Sequence, residues 1–418
     1  MTSQAPHRRL GPRVLQELIH TARMTPPDGL PRVVADALRP AGAEAVRVWV
    51  VDYGQRVLTA LGAREEPPVD VDSTRLGQVY RMMRSHVETS PDGDHLLVPL
   101  IDGVERLGVL ELTAPAGTGE DEPAMQTLVA FASCVAELLV TKAQYGDSLA
   151  RTARTQPMTL AAEMQWQTLP PLTFATDRVV VAGTIEPSYE VGGDAFDYAA
   201  EDHRLRFAVL DAMGHGFRAS LLSSTAVAAY RNARRSGLSL PRLVEHMDEA
   251  VRALAEGDAY VTAVVADLDL DTGVLHWVLA GHPPPLLLRD GRAVETLVAE
   301  NTLPLGELDL HPTRILPIGK AQLRPEDGVL LYTDGVIEAT DRHGTAFGID
   351  RLVEAVGLTA TAGLPAPEAL RVVTLRVLDH QDGVIQDDAT QLLVQWLPGG
   401  TTHLDPRRPA TRSDTTHE

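Results

Sequence analysis

The pattern of apolar and polar positions changes near Leu169-Pro-Pro171, because strand patterns become frequent beyond that point. Before it, the order is helix, helix, strand, paired strands and long helix, which is typical of a small α+β domain. A turn at Ile101-Asp-Gly-Val joins the paired strands as a hairpin. The predicted helices and strands of this part are Arg13 to Thr21, Leu30 to Leu38, Ala45 to Asp52, His95 to Pro99, Arg106 to Leu112 and about Glu122 to Ala143.

The second part combines many antiparallel strands with a few long helices. This mixture predicts stacked sheets that are covered by helices. Asp271-Thr-Gly273 marks one hairpin turn. The predicted strands are Arg178 to Ile185, Leu205 to Asp211, Tyr260 to Leu268, Val274 to Ala280, Pro285 to Leu288, Val329 to Thr333 and Thr390 to Gln395, and the predicted helices are Arg218 to Arg235, Leu240 to Glu256 and Pro365 to Leu378.

Between the two parts, residues 143–167 are polar yet helix-prone, and Pro157 breaks or kinks them. Two interpretations stay open for this linker: a plain surface connector, or a stalk through which two chains form a homodimer. We divide the chain into a first domain, a helical linker, a second domain and a polar tail that is expected to be disordered. The corresponding residues are 10–142, 143–167, 168–398 and 399–418.

Composition narrows the classes of function. The 418 residues carry a net charge of −20, which disfavours a role in binding nucleic acid or an anionic membrane. Cys134 is the only cysteine, so no disulfide can form within the chain. The N-terminus has no apolar signal core, and the most apolar stretch, Leu128 to Val140, is interrupted by Glu137 and is too short to span a bilayer. We therefore expect a cytoplasmic protein.

Carboxylates recur at the predicted ends of buried strands, beside glycine or alanine. A single aspartate in this position is usually a turn former. Several of them are a poor fit to that explanation, because a buried charge is normally paired or bound to a metal. The positions concerned are Asp194 in VGGDAFDY, Asp211 in VLDAMGHG, Asp334 in LLYTDG, and Asp387 with Asp388 in QDDATQLLVQW.

The chemistry of these side chains favours Mg²⁺ or Mn²⁺ over zinc, because carboxylates are hard ligands and no Cys or His cluster accompanies them. Four or five carboxylates can hold two such ions, which lower the pKa of a shared water and neutralise charge on a phosphoryl group. The glycines leave room for ions and for a substrate phosphate, and the backbone carbonyl of Ala212 can itself be a ligand.

Five motifs in order give the second part a family resemblance. Together with the upstream segment AAEMQWQTLPPL, the chain from about Ala161 to Pro398 resembles the SpoIIE-like branch of the PPM-type serine/threonine phosphatases. The resemblance implies an αββα sandwich, two Mn²⁺ or Mg²⁺ ions, and hydrolysis of phosphoserine or phosphothreonine on proteins. The motifs are GGDAFD at 192–197, DAMGHG at 211–216, AGHPPPLLLRDG at 280–291, LLYTDGVIEA at 330–339 and DDAT at 387–390.

The resemblance also implies individual roles. Asp211 corresponds to the carboxylate that bridges both ions, and Ala212 offers its carbonyl. Asp194 would bind the second ion directly or through water, while Asp334 and Asp387 would complete the first site. Asp388 stands where the family often has asparagine, so it is expected, like Asp197, to support the ligands without touching an ion. All expected carboxylates are present, which predicts an active enzyme.

Other groups have less certain roles in this scheme. His215 has a pKa suited to a general acid, but we expect it to pack and hydrogen-bond within its glycine-flanked turn. For His282 we likewise expect a hydrogen bond that orders its loop. Arg178 is the nearest candidate for the arginine that holds phosphate in some PPM phosphatases, although its spacing departs from theirs.

The first part resembles a GAF sensor domain, through VPLIDGVERLGVLEL at 98–112. The combination predicts a phosphatase whose substrate is a phosphorylated anti-sigma-factor antagonist or a similar signalling protein. The GAF-like domain would regulate it, with or without a small-molecule ligand.

Two alternatives stay open: a catalytically silent protein that uses the phosphatase fold as a scaffold, and the same site acting on small phosphate esters. A cysteine phosphatase is excluded, because position 140, six residues after Cys134, is valine where arginine is needed. No P-loop, GxSxG or HExxH motif is present.

Overall fold

The computed structural model divides the chain into two compact units, one ending at Gln156 and the other beginning at Pro157. This division falls inside the segment 143–167 that the sequence predicts as a linker. Each unit is described by itself below. The structure describes residues 10–63, 65–190, 192–255, 259–300, 302–310, 316–383 and 387–398. The predicted disordered tail, 399–418, lies outside the described residues.

The first unit is a six-stranded antiparallel sheet with helices on both faces. Its strand order is β3-β2-β1-β6-β5-β4. Apolar side chains of α1, α2 and α4 pack on one face, and those of α3 pack on the other. The elements are α1 (Arg13–Ala22), α2 (Leu30–Leu38), β1 (Glu44–Val51), β2 (Val57–Ala60), β3 (Val69–Asp70), α3 (Arg75–Met82), β4 (His86–Glu88), β5 (Asp94–Asp102), β6 (Glu105–Ala114), α4 (Glu122–Ala143) and α5 (Ser148–Ala153), with 3₁₀ turns at Pro27–Gly29 and Arg39–Ala41.

Helix α4 is the one described helix that is long and apolar enough to cross a membrane, judged by length and composition alone. The sequence predicts too short an apolar stretch here, because it counts only Leu128 to Val140. In the structure, Leu128, Phe131 and Val135 are fully buried in the core of the unit. The core helix of a water-soluble domain passes the same test, so α4 is weak support for a membrane span.

The second unit has four layers, helices on sheet on sheet on helices. Its elements are α6 (Leu160–Thr168), β7 (Thr173–Ala175), β8 (Val179–Glu186), β9 (Asp194–Glu201), β10 (Arg204–Ala212), α7 (Phe217–Arg235), α8 (Leu240–Leu254), β11 (Val261–Asp269), β12 (Val274–Ala280), β13 (Leu286–Arg289), β14 (Arg292–Thr296), β15 (Gly319–Gln322), β16 (Gly328–Tyr332), α9 (Asp334–Ile337), α10 (Gly348–Thr361), α11 (Ala366–His380) and β17 (Ala389–Trp396), with a 3₁₀ turn at Leu308–Leu310.

The layers are defined by two antiparallel sheets and the cores between them. One sheet has the strand order β15-β12-β11-β10-β9, and the other has β14-β13-β16-β17-β8-β7. Apolar side chains of both sheets share a core that includes Phe196, Phe207 and Trp396. Helices α7 and α8 pack on the outer face of the first sheet. Helix α11 packs against β8 and β17 of the second sheet. The α+β class and the αββα sandwich expected from the sequence are confirmed.

Strand β9 and helix α10 are the longest elements of the second unit that the sequence pattern does not predict, and in the first unit it does not predict β2, β3, α3 and β4. The sequence DAFDYAAE of β9 is rich in aspartate and alanine, which have low strand propensity. Its eight residues are nevertheless paired with β10, from Glu201 opposite Arg204 to Asp194 opposite Asp211. The prediction that Asp194 lies just past a strand is therefore wrong, since Asp194 begins one.

Candidate active site

Two of the predicted carboxylates lie side by side on neighbouring strands. Asp211, near the end of β10, is directly opposite Asp194, the first residue of β9. Phe196 and Val209, two positions away on each strand, belong to the core between the sheets. Because side chains alternate along a strand, Asp194 and Asp211 point to the same side, into one end of the gap between the sheets.

The segment after Asp211 turns sharply into α7, which accounts for its glycines. Gly216 precedes the helix with φ 78° and ψ −157°, a conformation that side chains with a Cβ rarely adopt. Its carbonyl accepts the first hydrogen bond of the helix, from the Ser220 backbone N–H at 3.0 Å. Ala212 is fully buried, and its N–H donates to the Gly193 carbonyl at 3.2 Å. The turn thus brings the two glycine-flanked motifs together.

The second sheet contributes to the same end of the gap. The Thr333 hydroxyl, just after β16, donates to Asp194 Oδ2 at 2.7 Å and accepts from the Thr390 N–H at 3.0 Å. Asp388 Oδ2, just before β17, accepts from the Gly193 N–H at 2.7 Å and from the Asp194 N–H at 3.1 Å. These bonds join both sheets around Asp194.

Close backbone contact fixes the segment that carries Asp387 and Asp388. A Cβ placed on Gly335, the second residue of α9, would lie 2.0 Å from the Asp388 carbonyl oxygen. The bare backbone of Gly335 therefore lets Asp334, which begins α9, and Asp387 share this end of the sandwich. Asp334 is half-buried and Asp387 is exposed.

Burial, together with neighbouring like charges, raises the pKa values of the central carboxyl groups. Burial raises the pKa of Asp211 to about 7, and the charges of Asp334, Asp387 and Asp388 add to the effect, while a hydrogen bond from the Thr262 side chain opposes it. Burial raises the pKa of Asp194 well above its usual range, with further contributions from Asp388 and Asp211. The protonated forms are thus favoured in the absence of a cation.

The pKa values of the flanking carboxyl groups, Asp388 and Asp334, are also raised. Burial raises the pKa of Asp388 to about 6, although the Asp194 and Gly193 N–H groups oppose this rise. Asp388 Oδ1 is buried and has no hydrogen-bond partner among the described residues. Burial raises the pKa of Asp334 as well, and Glu338 and Asp387 contribute further. The predicted ligands thus share one electrostatic environment.

Helix α6 reaches this site directly, a contact that the sequence analysis does not predict. The Gln165 side-chain amide is buried and donates to the Asp194 carbonyl at 2.8 Å. The Ser220 hydroxyl of α7 donates to the Ala161 carbonyl at 3.0 Å. The segment AAEMQWQ carries a signal for this contact, because Gln165 lies between Met164 and Trp166 and its amide requires a partner if it is buried.

The expected supporting role of Asp197 is wrong, and Arg178 lies away from the site. Asp197 has the opposite orientation on β9 from Asp194, and its carboxylate pairs with Arg231 at 2.8 Å and Arg234 at 3.4 Å on α7. It therefore does not support the metal ligands. Arg178 forms an ion pair with Asp271 in the β11–β12 turn, at the other end of the strands from Asp211. That position agrees with the spacing of Arg178, which already disfavours it as the phosphate-binding residue.

His215 and His282 differ in their exposure to solvent. His215 is exposed and makes no side-chain hydrogen bond with the described residues, so the predicted packing within its turn is wrong. Its charge does influence the site, because it lowers the pKa of Asp388. His282 is buried, with Nδ1 2.8 Å from the Thr262 hydroxyl, which confirms the predicted hydrogen bond.

Within residues 10–398, apart from the gaps given above, no three His, Cys, Asp or Glu side chains lie close enough together to form a metal-binding group. The carboxylates that the sequence assigns to the ions share one end of the gap, but among the described residues no three of them are close enough to coordinate one ion. The proposed ligand roles of Asp194, Asp211, Ala212, Asp334 and Asp387 therefore stay predictions.

Residues 201–397 match the family model described as Stage II sporulation protein E (SpoIIE). The match includes Asp211, Asp334 and Asp387, while Asp194 lies just before it. Phosphoserine phosphatase RsbP of Bacillus subtilis (strain 168) is 29% identical over 174 residues, which are 40% of this chain and 42% of RsbP. Protein IcfG of Synechocystis sp. is 26% identical over 268 residues, which are 57% of this chain and 39% of IcfG. The chain thus spans about two fifths of the length of these relatives.

Among solved structures, the chain is similar to the RsbU and RsbW domains of Rv1364c from Mycobacterium tuberculosis, with 26% identity, a TM-score of 0.46, and coverage of 56% of this chain and 64% of that one. The phosphatase domain and regulatory fragment of SpoIIE from Bacillus subtilis gives 19% identity, a TM-score of 0.42, and coverage of 53% and 65%. The GAF resemblance of the first unit stays a prediction. On the family match and the sequence motifs, residues 201–397 belong to the SpoIIE family of PPM-type phosphatase domains.

Proposed function

We propose that the second unit is a metal-dependent protein phosphatase that hydrolyses phosphoserine or phosphothreonine on a signalling protein. The observation that carries the proposal is the pairing of Asp194 with Asp211 at the end of the gap between the sheets, where the second sheet adds Asp388 and Thr333. Membership of the SpoIIE family and the similarity to a phosphoserine phosphatase support the same activity.

The residues present fit a pair of divalent cations. Every donor is an oxygen, which Mg²⁺ and Mn²⁺ prefer. Burial and neighbouring carboxylates raise the pKa values of Asp211 and Asp388, so a bound cation would stabilise their ionised forms, and Asp388 Oδ1 is a buried acceptor without a partner among the described residues. Asp194, Asp211, Asp334, Asp387 and the Ala212 carbonyl would hold the ions, which supply Lewis acidity toward water and the phosphoryl group.

The protein's own residues would orient these ligands. Thr333 donates a hydrogen bond to Asp194, Thr262 lies directly opposite Asp211, and the Gly193 and Asp194 N–H groups hold Asp388. His215, exposed beside the site, is the candidate that could protonate the leaving serine or threonine oxygen.

A protein substrate is favoured over a small ester by the surface next to the site. Phe217 and Leu221 lie one turn apart on α7, immediately after the Asp211 turn, with 53% and 37% of their surfaces exposed. Exposed apolar side chains of this kind are typical of a surface that binds another protein. By resemblance, the partner would be a phosphorylated anti-sigma-factor antagonist or a similar protein in the cytoplasm.

The decisive experiment measures phosphate release from a phosphorylated partner protein while Mn²⁺ is titrated in and then chelated. We expect release that depends on the metal, is lost in Asp211→Asn, and persists in the control Asp350→Asn, which changes an exposed carboxylate on α10. Release from p-nitrophenyl phosphate but from no phosphoprotein would favour small esters. No turnover with any metal, together with ligand binding by residues 1–145, would support the catalytically silent scaffold.

We further propose that the first unit regulates the site through α5 and α6. A groove of about 1330 Å³ in the first unit is lined by α5 and by the loop after β2, with Arg151, Arg154 and Glu66 among its charged side chains. A ligand there would contact α5, and α6 is bonded to Asp194 through Gln165. Unchanged rate and metal dependence after deletion of residues 1–140 would rule out this coupling.

A further inference from the structure

A row of polar side chains extends from the paired carboxylates across the first sheet. Asp211 on β10 is directly opposite Asp194 on β9, and on its other side it is directly opposite Thr262 on β11. Opposed residues in an antiparallel sheet point to the same face, so the three side chains are neighbours. His282, which follows β12, extends the row because its Nδ1 lies 2.8 Å from the Thr262 hydroxyl.

The position of His282 is fixed by its backbone. Gly281 has φ +67°, and its N–H donates to the Thr302 carbonyl at 3.1 Å. Gly281 also forms a bridge with Ala263, the residue after Thr262. The His282 ring is therefore held against β11, and only 2% of the residue is exposed.

Burial limits what this imidazole can do. It lowers the pKa of His282 to about 4, although the Tyr332 backbone opposes the shift, so the ring is neutral near pH 7. A ring so deeply buried cannot exchange protons with a substrate in the open end of the gap. The side chain that it contacts by a hydrogen bond is Thr262, and this contact leads toward Asp211.

The register of the strands indicates the direction of this network. A threonine hydroxyl has one proton to donate and can accept as well. Thr262 lies directly opposite Asp211, so its hydroxyl is placed to donate to that carboxylate when a bound cation keeps it ionised. In that arrangement His282 Nδ1 carries the proton of the 2.8 Å contact and donates it to the Thr262 hydroxyl.

We infer that His282 is a positioning residue that, through Thr262, fixes the orientation of the Asp211 carboxylate. The inference rests on the proposed role of Asp211 as the central ligand of the divalent ions. Without the His282 donor, the Thr262 hydroxyl is free to turn, and Asp211 loses the neighbour that sets its rotamer. Removal of a residue that orients a metal ligand typically reduces metal affinity by about 10–100-fold.

The test uses the full chain and measures Mn²⁺ binding directly, from the electron paramagnetic resonance signal of free Mn²⁺. Thr262→Val keeps the side-chain shape and removes the hydroxyl, whereas Thr262→Ser keeps it. His282→Leu removes the donor, whereas His282→Asn retains an N–H donor near the position of Nδ1. We expect about 10–100-fold weaker binding in Thr262→Val and His282→Leu, and values within a few-fold of the wild type in Thr262→Ser and His282→Asn.

The double variant Thr262→Val/His282→Leu distinguishes a relay from two separate effects. In a relay, the double variant binds Mn²⁺ no more weakly than Thr262→Val alone. The Mn²⁺ concentration for half-maximal phosphate release should shift in parallel with binding. Thermal unfolding identifies the variants that fold, and the two Thr262 variants decide the question if His282→Leu does not.

Wild-type Mn²⁺ affinity in folded Thr262→Val, or losses that add in the double variant, would overturn the inference. If the wild type bound Mn²⁺ and released phosphate, the proposed function would stand despite that result. A wild type that neither binds Mn²⁺ nor releases phosphate would overturn both.

Discussion

Gly335→Ala tests the close contact that holds the two sheets together at the site. Gly335 is the second residue of the short helix α9, and a Cβ there would lie 2.0 Å from the carbonyl oxygen of Asp388 and 2.9 Å from its carbonyl carbon. Real contacts of a Cβ essentially never fall below 3.0 Å, so something must move by about 1 Å. The obstacle is backbone, so the segment that carries Asp387 and Asp388 has to shift.

Two opposing effects set the magnitude. Helix propensity alone favours alanine over glycine by about 1 kcal/mol. Forcing an extra carbon into a packed site costs about 1–3 kcal/mol. We therefore expect the free energy of unfolding to fall by up to about 2 kcal/mol, which lowers the melting temperature by about 2–4 °C per kcal/mol in a unit of this size. Because a displacement of about 1 Å at reacting groups can cost about 100-fold, the rate of phosphate release should fall by about that factor.

Gly357→Ala in α10 is the matched control. Both glycines lie in helices without positive φ, but the nearest atom to a Cβ at 357 is the Gly291 carbonyl oxygen at 3.7 Å, an ordinary contact. This variant should be more stable by about 0.5–1 kcal/mol, with unchanged activity. Urea unfolding and Mn²⁺-dependent phosphate release would be measured for both. A Gly335→Ala protein as stable and active as Gly357→Ala would refute the reasoning.

Three further predictions concern other parts of the second unit. Asp197→Ala should lower the free energy of unfolding by about 3 kcal/mol, because it leaves Arg231 and Arg234 without their buried partner. The Mn²⁺ affinity of this variant should not change. A weaker Mn²⁺ affinity in the folded variant would show that Asp197 does support the metal ligands. Burial lowers the pKa of His282 from 6.5 to about 4. Between these two pH values the unfolded state binds a proton at His282 and the folded state does not. The stability that the neutral His282 contributes is therefore present above about pH 6.5 and is lost as the pH falls toward 4. Unfolding free energies at several pH values should therefore fall less steeply for His282→Asn than for the wild type, and equal slopes would contradict the buried neutral ring. Phe217→Ala/Leu221→Ala should slow release from a phosphoprotein but not from p-nitrophenyl phosphate, with exposed Leu358→Ala as the control; equal loss on both substrates would point to damage of the site instead.

The sequence predicts the classes of structure well where local pattern is strong. Helix α4 begins and ends at the residues predicted, Glu122 and Ala143, because a capping aspartate and a long apolar pattern define it. Strands β10 and β11 were predicted to within one residue at each end, because runs of buried apolar residues are the dominant signal there. The five ordered motifs identified the family, since each combines a residue type with a spacing that local structure alone does not require.

The sequence does not predict the structure where the environment of a residue depends on residues far away in the chain. Strand β9 has little strand propensity of its own and exists through its pairing with β10. Asp194 and Asp197 lie three residues apart in one motif, yet alternation along β9 directs one to the carboxylates and the other to arginines of α7. His215 and His282 look equivalent in sequence because each directly follows a glycine, but His215 is exposed and His282 is buried against Thr262.

By itself, then, the sequence determined which oxygen-bearing side chains are available and that they lie at or next to the ends of strands, because these properties are local. Only the tertiary structure decided which of them meet. The register between β9, β10 and β11 aligns Asp194, Asp211 and Thr262, and the packing of the second sheet brings Asp388 and Thr333 to them. Electrostatic coupling among carboxylates depends on separation in space and on exclusion of water, and neither quantity is encoded in any single stretch of chain.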